Sequence, residues 1–134
     1  MSNLDLLKKL IKIESISPND NGCFDVIKQQ FEGLDFSFEE TSYKNISNLV
    51  ITNGNSKNKT FCFLGHTDVV PPGPESEWTV PPFSGEIIDN KIYGRGAADM
   101  KGGVACFISA LKEFLSEYKD LSLIHISEPT RQLQ

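Results

Sequence analysis

A histidine and an aspartate two positions apart are the first residues of this sequence whose types suggest chemistry. His66-Thr67-Asp68 follows directly on the apolar run of residues 60–64. Side chains two apart on an extended chain point the same way, so His66 and Asp68 can act together. A neutral imidazole is a good zinc ligand, and a metal-bound histidine commonly donates its other N–H to a carboxylate. Taken alone the pattern is weak, since a single histidine at a strand end is more often structural.

A glycine-rich stretch, residues 93–103, holds the second group of interest. It contains four glycines and Asp99 and leads into an amphipathic segment. Glycine allows a backbone to approach a ligand closely. The stretch lacks the third glycine of a dinucleotide fingerprint and the Gly-Lys-Ser/Thr of a phosphate loop, so neither nucleotide-binding motif is favoured. As an isolated residue, Asp99 is expected more often as a helix N-cap than as a metal ligand.

Three amphipathic segments predict the helices that must support these residues. Apolar residues recur at helical spacing over residues 2–13, 24–34 and 104–118. Ser2 and Asp5 resemble a capping box at the first helix. Gly33 is expected to end the second helix in a left-handed conformation.

Between the helices the apolar period changes to two, which predicts strands. Phe36 and Phe38 alternate with polar residues, and residues 48–51 form a short β-prone run. The continuous apolar run of residues 60–64 predicts a strand buried on both faces, and residues 86–93 predict a hairpin around Asp89-Asn90. Helices and strands in this order favour an α/β layered domain, and in such folds ligands bind at the ends of strands.

Residues 71–82 contain five of the seven prolines and predict a long irregular loop. Loops of this length inside a compact domain are usually functional. Trp78 within it can either line the entrance to a site or pack against the body of the protein, and packing is the preferred interpretation.

Composition limits the class of protein. A chain of 134 residues is long enough for one domain, and its net charge of −5 argues against a nucleic-acid partner. No apolar run reaches the roughly 18 residues that a membrane span needs, and residues 1–13 lack the apolar centre of a signal peptide. A cytoplasmic protein is therefore expected. The three cysteines are far apart and odd in number, and are expected as reduced thiols in the core: Cys23, Cys62 and Cys106.

Three blocks of the sequence resemble the signature of the M20 zinc-peptidase family. They are residues 65–73, Trp78 with residues 81–83, and residues 93–103, in the family's order and separation. The resemblance covers about residues 1–120. The wording of residues 97–101 is most similar to members that remove a succinyl group from a diamino acid in lysine and diaminopimelate biosynthesis. Relatives that act on acetylated amino acids usually differ just before the aspartate.

The resemblance implies a site as well as a fold. The fold would be the amino-terminal part of a zinc-exopeptidase-like, three-layer α/β/α catalytic domain with a mixed sheet. His66 would bind one of two zinc ions, Asp99 would bridge both, and Asp68 would act in catalysis by orienting His66. Cobalt is a possible substitute for zinc. A cis peptide is expected at Asp99–Met100.

The same resemblance implies an amide hydrolase with a small-molecule substrate, homodimeric when intact. Another deacylase or peptidase of the family is the alternative activity. The family's general base and remaining ligands lie beyond the last predicted helix, so this chain is expected to be truncated and inactive. A non-catalytic fold fragment is the alternative from a different class.

The end of the sequence has two interpretations. Residues 121–134 resemble the conceptual translation of a transposase adapter used in sequencing libraries, which predicts a division into residues 1–120 of the catalytic domain and a non-native tail. The alternative is an ordinary strand over residues 121–126 that follows the last helix.

Overall fold

A computed structural model describes residues 1–54, 60–118 and 123–127 of the chain. Three helices, six strands and one short 3-10 turn (Glu75–Glu77) make up these parts. The helices are α1 (Asn3–Ile11), α2 (Cys23–Gln29) and α3 (Lys101–Glu117); the strands are β1 (Ser37–Tyr43), β2 (Ile46–Asn53), β3 (Phe61–Gly65), β4 (Glu86–Ile88), β5 (Lys91–Tyr93) and β6 (Leu123–Ser127).

The strands form a mixed four-stranded sheet and a separate hairpin. The sheet order is β1-β2-β6-β3, with β6 antiparallel to β2 and parallel to β3. The hairpin of β4 and β5 turns at Asp89 and Asn90, which both have positive φ. This hairpin confirms the prediction, because an Asp-Asn pair suits a turn whose two central residues are left-handed. The predicted α/β class and mixed sheet are confirmed as well.

The core lies between the helices and one face of the sheet. Leu49 and Ile51 of β2 are fully buried on this face. Phe63 of β3 stacks on Phe107 of α3 with ring centroids 4.0 Å apart. Fully burying one such side chain stabilises a fold by roughly 1.5–3 kcal/mol. The helical residues of the core cluster are Leu6, Leu10, Cys23, Phe24, Val26, Ile27, Val104, Ala105, Ile108 and Leu111.

Local hydrogen bonds explain where the first two helices begin and end. The Ser2 hydroxyl accepts the N–H of Asp5 at 3.1 Å, which confirms the predicted cap of α1. Helix α2 ends at Gln29, earlier than predicted, although Gly33 does have a positive φ. The side-chain amide of Gln30 donates to the Val26 carbonyl, the acceptor that an α-helical Gln30 N–H would use.

The second face of the sheet carries no helix within the described residues. The prediction that residues 60–64 are buried on both faces is therefore wrong, because Leu64, on this second face, is 58% exposed. The cysteine prediction also fails in part. All three thiols are free, but only Cys23 is buried, because Cys62 lies on the open face of β3 and Cys106 on the outer side of α3.

Within the described parts, no helix is both long and apolar enough to cross a bilayer.

The predictions for the end of the sequence are only partly covered by the described residues. The boundary predicted at residue 120 lies outside the described residues, as do residues 119–122 and 128–134. Residues 123–127 do form a strand, as the ordinary-strand interpretation expected. The origin of residues 121–134 stays a prediction.

Candidate metal centre

The predicted site residues meet where β3 ends and α3 begins. A cavity of about 270 Å³ opens here, lined by residues of the loop after β3 and of the glycine-rich stretch, together with Ser17. His66 and Asp99 are 33 positions apart in sequence, yet their side chains are in contact. The fold thus brings together two residues that the sequence could only place at two separate points.

Each ring nitrogen of His66 faces an oxygen. Nδ1 lies 3.0 Å from the backbone carbonyl oxygen of Asp68, and Nε2 lies 3.1 Å from Oδ1 of Asp99. A carbonyl oxygen can only accept, so Nδ1 carries a proton and donates it. In the neutral imidazole Nε2 then presents a lone pair to the Asp99 carboxylate. Two lone pairs at this distance require a proton or a cation that both can share.

This donor pair fits zinc. Zinc binds imidazole nitrogen and carboxylate oxygen at about 2.0–2.2 Å in tetrahedral geometry, which places two ligands of one ion roughly 3.4 Å apart. The 3.1 Å between Nε2 and Oδ1 is close to that separation. The pair is nevertheless incomplete, since zinc usually takes three or four protein ligands. No cluster of three or more His, Cys, Asp or Glu side chains suited to a metal occurs in residues 1–54, 60–118 or 123–127.

The Asp68 carboxylate lies on the Nδ1 side of the His66 imidazole. It is 3% exposed, and its carboxylate Oδ1 is 3.4 Å from His66 Nδ1, farther than its own backbone carbonyl. The carbonyl therefore makes the hydrogen bond that fixes the imidazole in this structure. The carboxylate sits at the same nitrogen, slightly beyond the usual length of such a bond.

Asp99 projects outward from the glycine-rich stretch. Its side chain is 89% exposed and touches His66, so it does not serve as the helix cap that was the alternative role. The N-cap of α3 is Met100, which makes no side-chain capping bond. The peptide between Asp99 and Met100 is cis, as the family resemblance implied.

A polar layer that sequence reasoning missed supports the loop after β3. The Ser15 hydroxyl donates to the Thr67 carbonyl at 2.7 Å, and the Thr67 hydroxyl donates to the Asp20 carboxylate at 3.3 Å. Asp20 also accepts the N–H groups of Gly22 and Phe24 at the start of α2. Burial raises the pKa of the Asp20 carboxyl, while these hydrogen bonds oppose the shift. The alternation in His66-Thr67-Asp68 was the available signal, because it turns Thr67 away from the cavity.

Lys101 is a further buried polar residue near the site that the sequence did not single out. It is completely buried, and its Nζ donates to the carbonyls of Leu10 and Ile13 at 2.8 Å each. Burial lowers the pKa of this ammonium, and the nearby Cys23, Asp20 and Asp68 act in the opposite direction.

The proline-rich loop is held by Arg95 and Trp78. The Trp78 indole N–H donates to the Pro72 carbonyl at 3.0 Å, and the Arg95 guanidinium lies over the indole ring at 5.1 Å. Arg95 also donates to the carbonyls of Pro71 and Pro72. Trp78 is absent from the cavity lining. These contacts favour the packing interpretation of Trp78.

Sequence comparison gives a family and a set of relatives. The profile of peptidase family M20/M25/M40 matches residues 62–129, about half of the chain. A succinyl-diaminopimelate desuccinylase of Psychromonas ingrahamii is 47% identical over 117 residues, covering 87% of this chain and 31% of the relative. One from Rhodospirillum centenum is 50% identical over 115 residues, covering 82% and 30%. The chain therefore spans about a third of the length of the curated relatives that it matches.

Solved structures agree on the fold. An M20 family metallo-carboxypeptidase from Sulfolobus solfataricus superposes with a TM-score of 0.80 at 27% identity, covering 96% of this chain and 30% of that one. Human carnosine dipeptidase 1 gives a TM-score of 0.79 at 26% identity, covering 94% and 31%.

Proposed function

This chain belongs to peptidase family M20/M25/M40, and on that premise we propose that it is the amino-terminal part of a metal-dependent amide hydrolase. The proposed reaction is N-succinyl-LL-2,6-diaminopimelate plus water to succinate plus LL-2,6-diaminopimelate. The observation that carries the hydrolase proposal is the approach of His66 Nε2 to Asp99 Oδ1 at 3.1 Å, at the mouth of a cavity. The names of the most similar relatives support the choice of substrate.

Three residues of this chain have proposed roles. His66 and Asp99 would hold zinc, with Asp99 shared between two ions and cobalt as a possible substitute. When bound, the metal supplies Lewis-acid polarisation of the scissile carbonyl and activation of water. Asp68 would keep the His66 ring oriented, since its backbone carbonyl receives the Nδ1 proton and its carboxylate lies at the same nitrogen. A fixed Nδ1–H directs the Nε2 lone pair toward Asp99 and the cavity.

The whole enzyme needs more than this chain supplies. Two ligands do not complete one zinc site, still less two, so the general base and remaining ligands are proposed to lie in the part of the protein that corresponds to the rest of the relatives' length. This 134-residue chain is proposed to be inactive alone, and the intact enzyme to be a homodimer. Sedimentation of the intact protein tests the dimer.

The activity is tested on the intact protein with matched amides. Release of amine from a succinylated form of a diamino acid, an acetylated form of the same diamino acid and a dipeptide would be compared at equal concentration with added zinc. Preference for the succinyl amide supports the desuccinylase proposal. Preference for the acetyl amide or for a dipeptide favours a different hydrolase of the family, as the dipeptidase and carboxypeptidase among the similar structures suggest.

We also propose that residues 121–134 are not encoded by the protein's own gene, because they resemble a translated sequencing adapter. A strand over residues 123–127 is compatible with either origin, since alternating apolar residues suffice for a strand. Reading the gene again through the codon for Asp120 from fresh genomic DNA is the test. An unchanged reading through Gln134 would overturn the proposal.

A further inference from the structure

Lys101 is a fully buried amine with a specific set of partners. Its Nζ donates to the carbonyl of Leu10, in the last turn of α1, and to that of Ile13, two residues beyond the helix, each at 2.8 Å. Both carbonyls also accept a backbone N–H, from Ile13 and Ser15 respectively, and the negative end of the helix dipole favours a cation beside them. The lysine therefore joins the start of α3 to the end of α1.

The glycine-rich stretch rests on the stem of the same lysine. A Cβ built on Gly96 would lie 3.1 Å from Lys101 Cδ and 2.7 Å from Val69 Cγ1, so the backbone at Gly96 fits closely between these two side chains. The backbone N–H of Lys101 also donates to the Gly96 carbonyl at 2.9 Å. Gly94 packs just as closely on Ile11 of α1. Residues 94–101 thus lie on a platform made of α1 and the lysine stem.

Asp99 lies in the middle of this stretch and contributes little packing of its own, because its side chain is 89% exposed. The position of its carboxylate is therefore set by the backbone on either side. Met100 approaches Gly65, the residue before His66, so a shift of the stretch would also change the distance from Asp99 to His66.

We propose that Lys101 is a positioning residue for the metal centre, which holds residues 96–101 against α1 and thereby places Asp99 opposite His66. Lys101 itself does not line the cavity. The inference rests on the proposed metal centre for its functional meaning, but its structural part stands on the contacts of Lys101 alone.

The experiment compares this chain with its Lys101→Met variant, which keeps the length of the stem and removes the donors. Lys112→Met, in the same helix, is the matched control. The first measurement is hydrogen exchange of the backbone amides of Ala97 and Lys101, which donate to Gly94 and Gly96. The second is titration with Co²⁺ alone, followed by its visible absorption. Lys101→Met is expected to speed exchange at these two amides at least tenfold, with β1 and β2 unchanged, and to weaken Co²⁺ binding by roughly 10–100-fold.

The hydrogen-exchange result decides whether Lys101 has the proposed positioning role. Exchange that accelerates uniformly along the chain, or not at all, overturns the proposal, because Lys101 is then a stabilising core residue only. Should the wild-type chain bind no Co²⁺, the proposed metal centre fails in this chain, while the exchange data still decide the positioning role. If Lys101→Met does not fold in buffer, both proteins are measured in trimethylamine N-oxide, which favours the folded state.

Discussion

At the scale of single residues, both ring nitrogens of the His66 imidazole have defined partners. Its Nδ1 is engaged by the Asp68 carbonyl and its Nε2 by the Asp99 carboxylate. With Nδ1 held by the Asp68 carbonyl, only Nε2 can face a metal. The main chain of Asp68 and the side chain of Asp99 therefore fix one direction for the Nε2 lone pair.

Loss of either donor is expected to weaken metal binding. His66→Ala or Asp99→Asn should weaken Zn²⁺ binding by at least the roughly 10–100-fold that follows from loss of an outer-shell partner. Isothermal titration of the chain with Zn²⁺ measures the change. Asp89→Asn is the matched control, because Asp89 lies in the hairpin turn, where Asn tolerates its positive φ. Equal affinity in all four proteins would refute the assignment of His66 and Asp99 as ligands.

Asp20 is expected to make stability depend on pH. Burial raises the pKa of its carboxyl above the ordinary 3.8, so the folded chain holds this proton more tightly than the unfolded chain does. The unfolded state therefore releases the proton first, and stability falls as pH rises from the unfolded value through the folded one. Asp20→Asn keeps an oxygen for the N–H groups of Gly22 and Phe24 but cannot titrate.

Urea unfolding of wild type and Asp20→Asn over about pH 3 to 7 tests this expectation. The wild type should lose free energy of unfolding relative to the variant as pH rises through the window, and the difference should level off above it. Asp35→Asn is the control, since Asp35 is exposed and lies outside the polar layer. A difference that grows in favour of wild type with rising pH would contradict the sign.

The sequence singled out the candidate metal ligands but not the residues that support them. His66 and Asp99 were proposed because their motifs resemble those of a metal site, and the structure brings their side chains into contact. Lys101 was not, since lysine is rarely fully buried and nothing in the neighbouring sequence shows that the carbonyls of Leu10 and Ile13 lie beside it. Such partners come from residues about 90 positions away, which only the fold brings close.

At the scale of elements, the start of α3 shows how closely the site stretch packs. Gly102 and Gly103 are consecutive in this helix, yet their surroundings differ. A Cβ on Gly102 would overlap the backbone carbonyl oxygen of Ala97, whereas one on Gly103 would lie 3.6 Å from the flexible end of Met100.

The two glycines should therefore respond in opposite directions to alanine. Gly103→Ala is expected to stabilise the chain by up to about 1 kcal/mol through helix propensity. Gly102→Ala is expected to destabilise it by roughly 1–3 kcal/mol, because a backbone atom must move to make room. Chemical denaturation of the two variants beside wild type gives both values. If both substitutions stabilise the chain, the Ala97 carbonyl must move aside at little cost in free energy, which would contradict this expectation.

Elements with local signals were predicted well and those with distant partners less so. The hairpin of β4 and β5 follows from two turn residues, and the cap of α1 from Ser2 and Asp5. Helix α2 was predicted too long, because the competing bond from the Gln30 side chain leaves the apolar period unchanged. The exposure of β3 could not be read from an apolar run, since burial depends on what covers each face.

At the scale of the whole molecule, the exposed second face of the sheet is the feature that most favours association between chains. Cys62 and Leu64 project from it, and β3 is an edge strand of the sheet. Exposed apolar side chains beside an open strand edge favour association.

The chain is therefore expected to associate as its concentration rises, and Leu64→Lys to reduce that association. A charge on an edge strand is a common natural device against edge pairing. Sedimentation velocity over a range of concentrations measures the effect. Ile87→Lys is the matched control, because Ile87 is also exposed but lies in the separate hairpin. A chain that stays monomeric at all concentrations would contradict the expectation.

The strand order also bears on how a chain of this printed sequence would be made, whatever the origin of residues 121–134. Strands β2 and β3 are neighbours in sequence but are joined in the sheet only through β6, which pairs with Leu49 and Val50 on one side and with Leu64 and Gly65 on the other. During synthesis the strand at the middle of the sheet leaves the ribosome last, after both of its partners. Pairings across so many residues form slowly. A nascent chain that stops before residue 123 holds two strands with nothing between them, and chaperones would be expected to bind it at that stage.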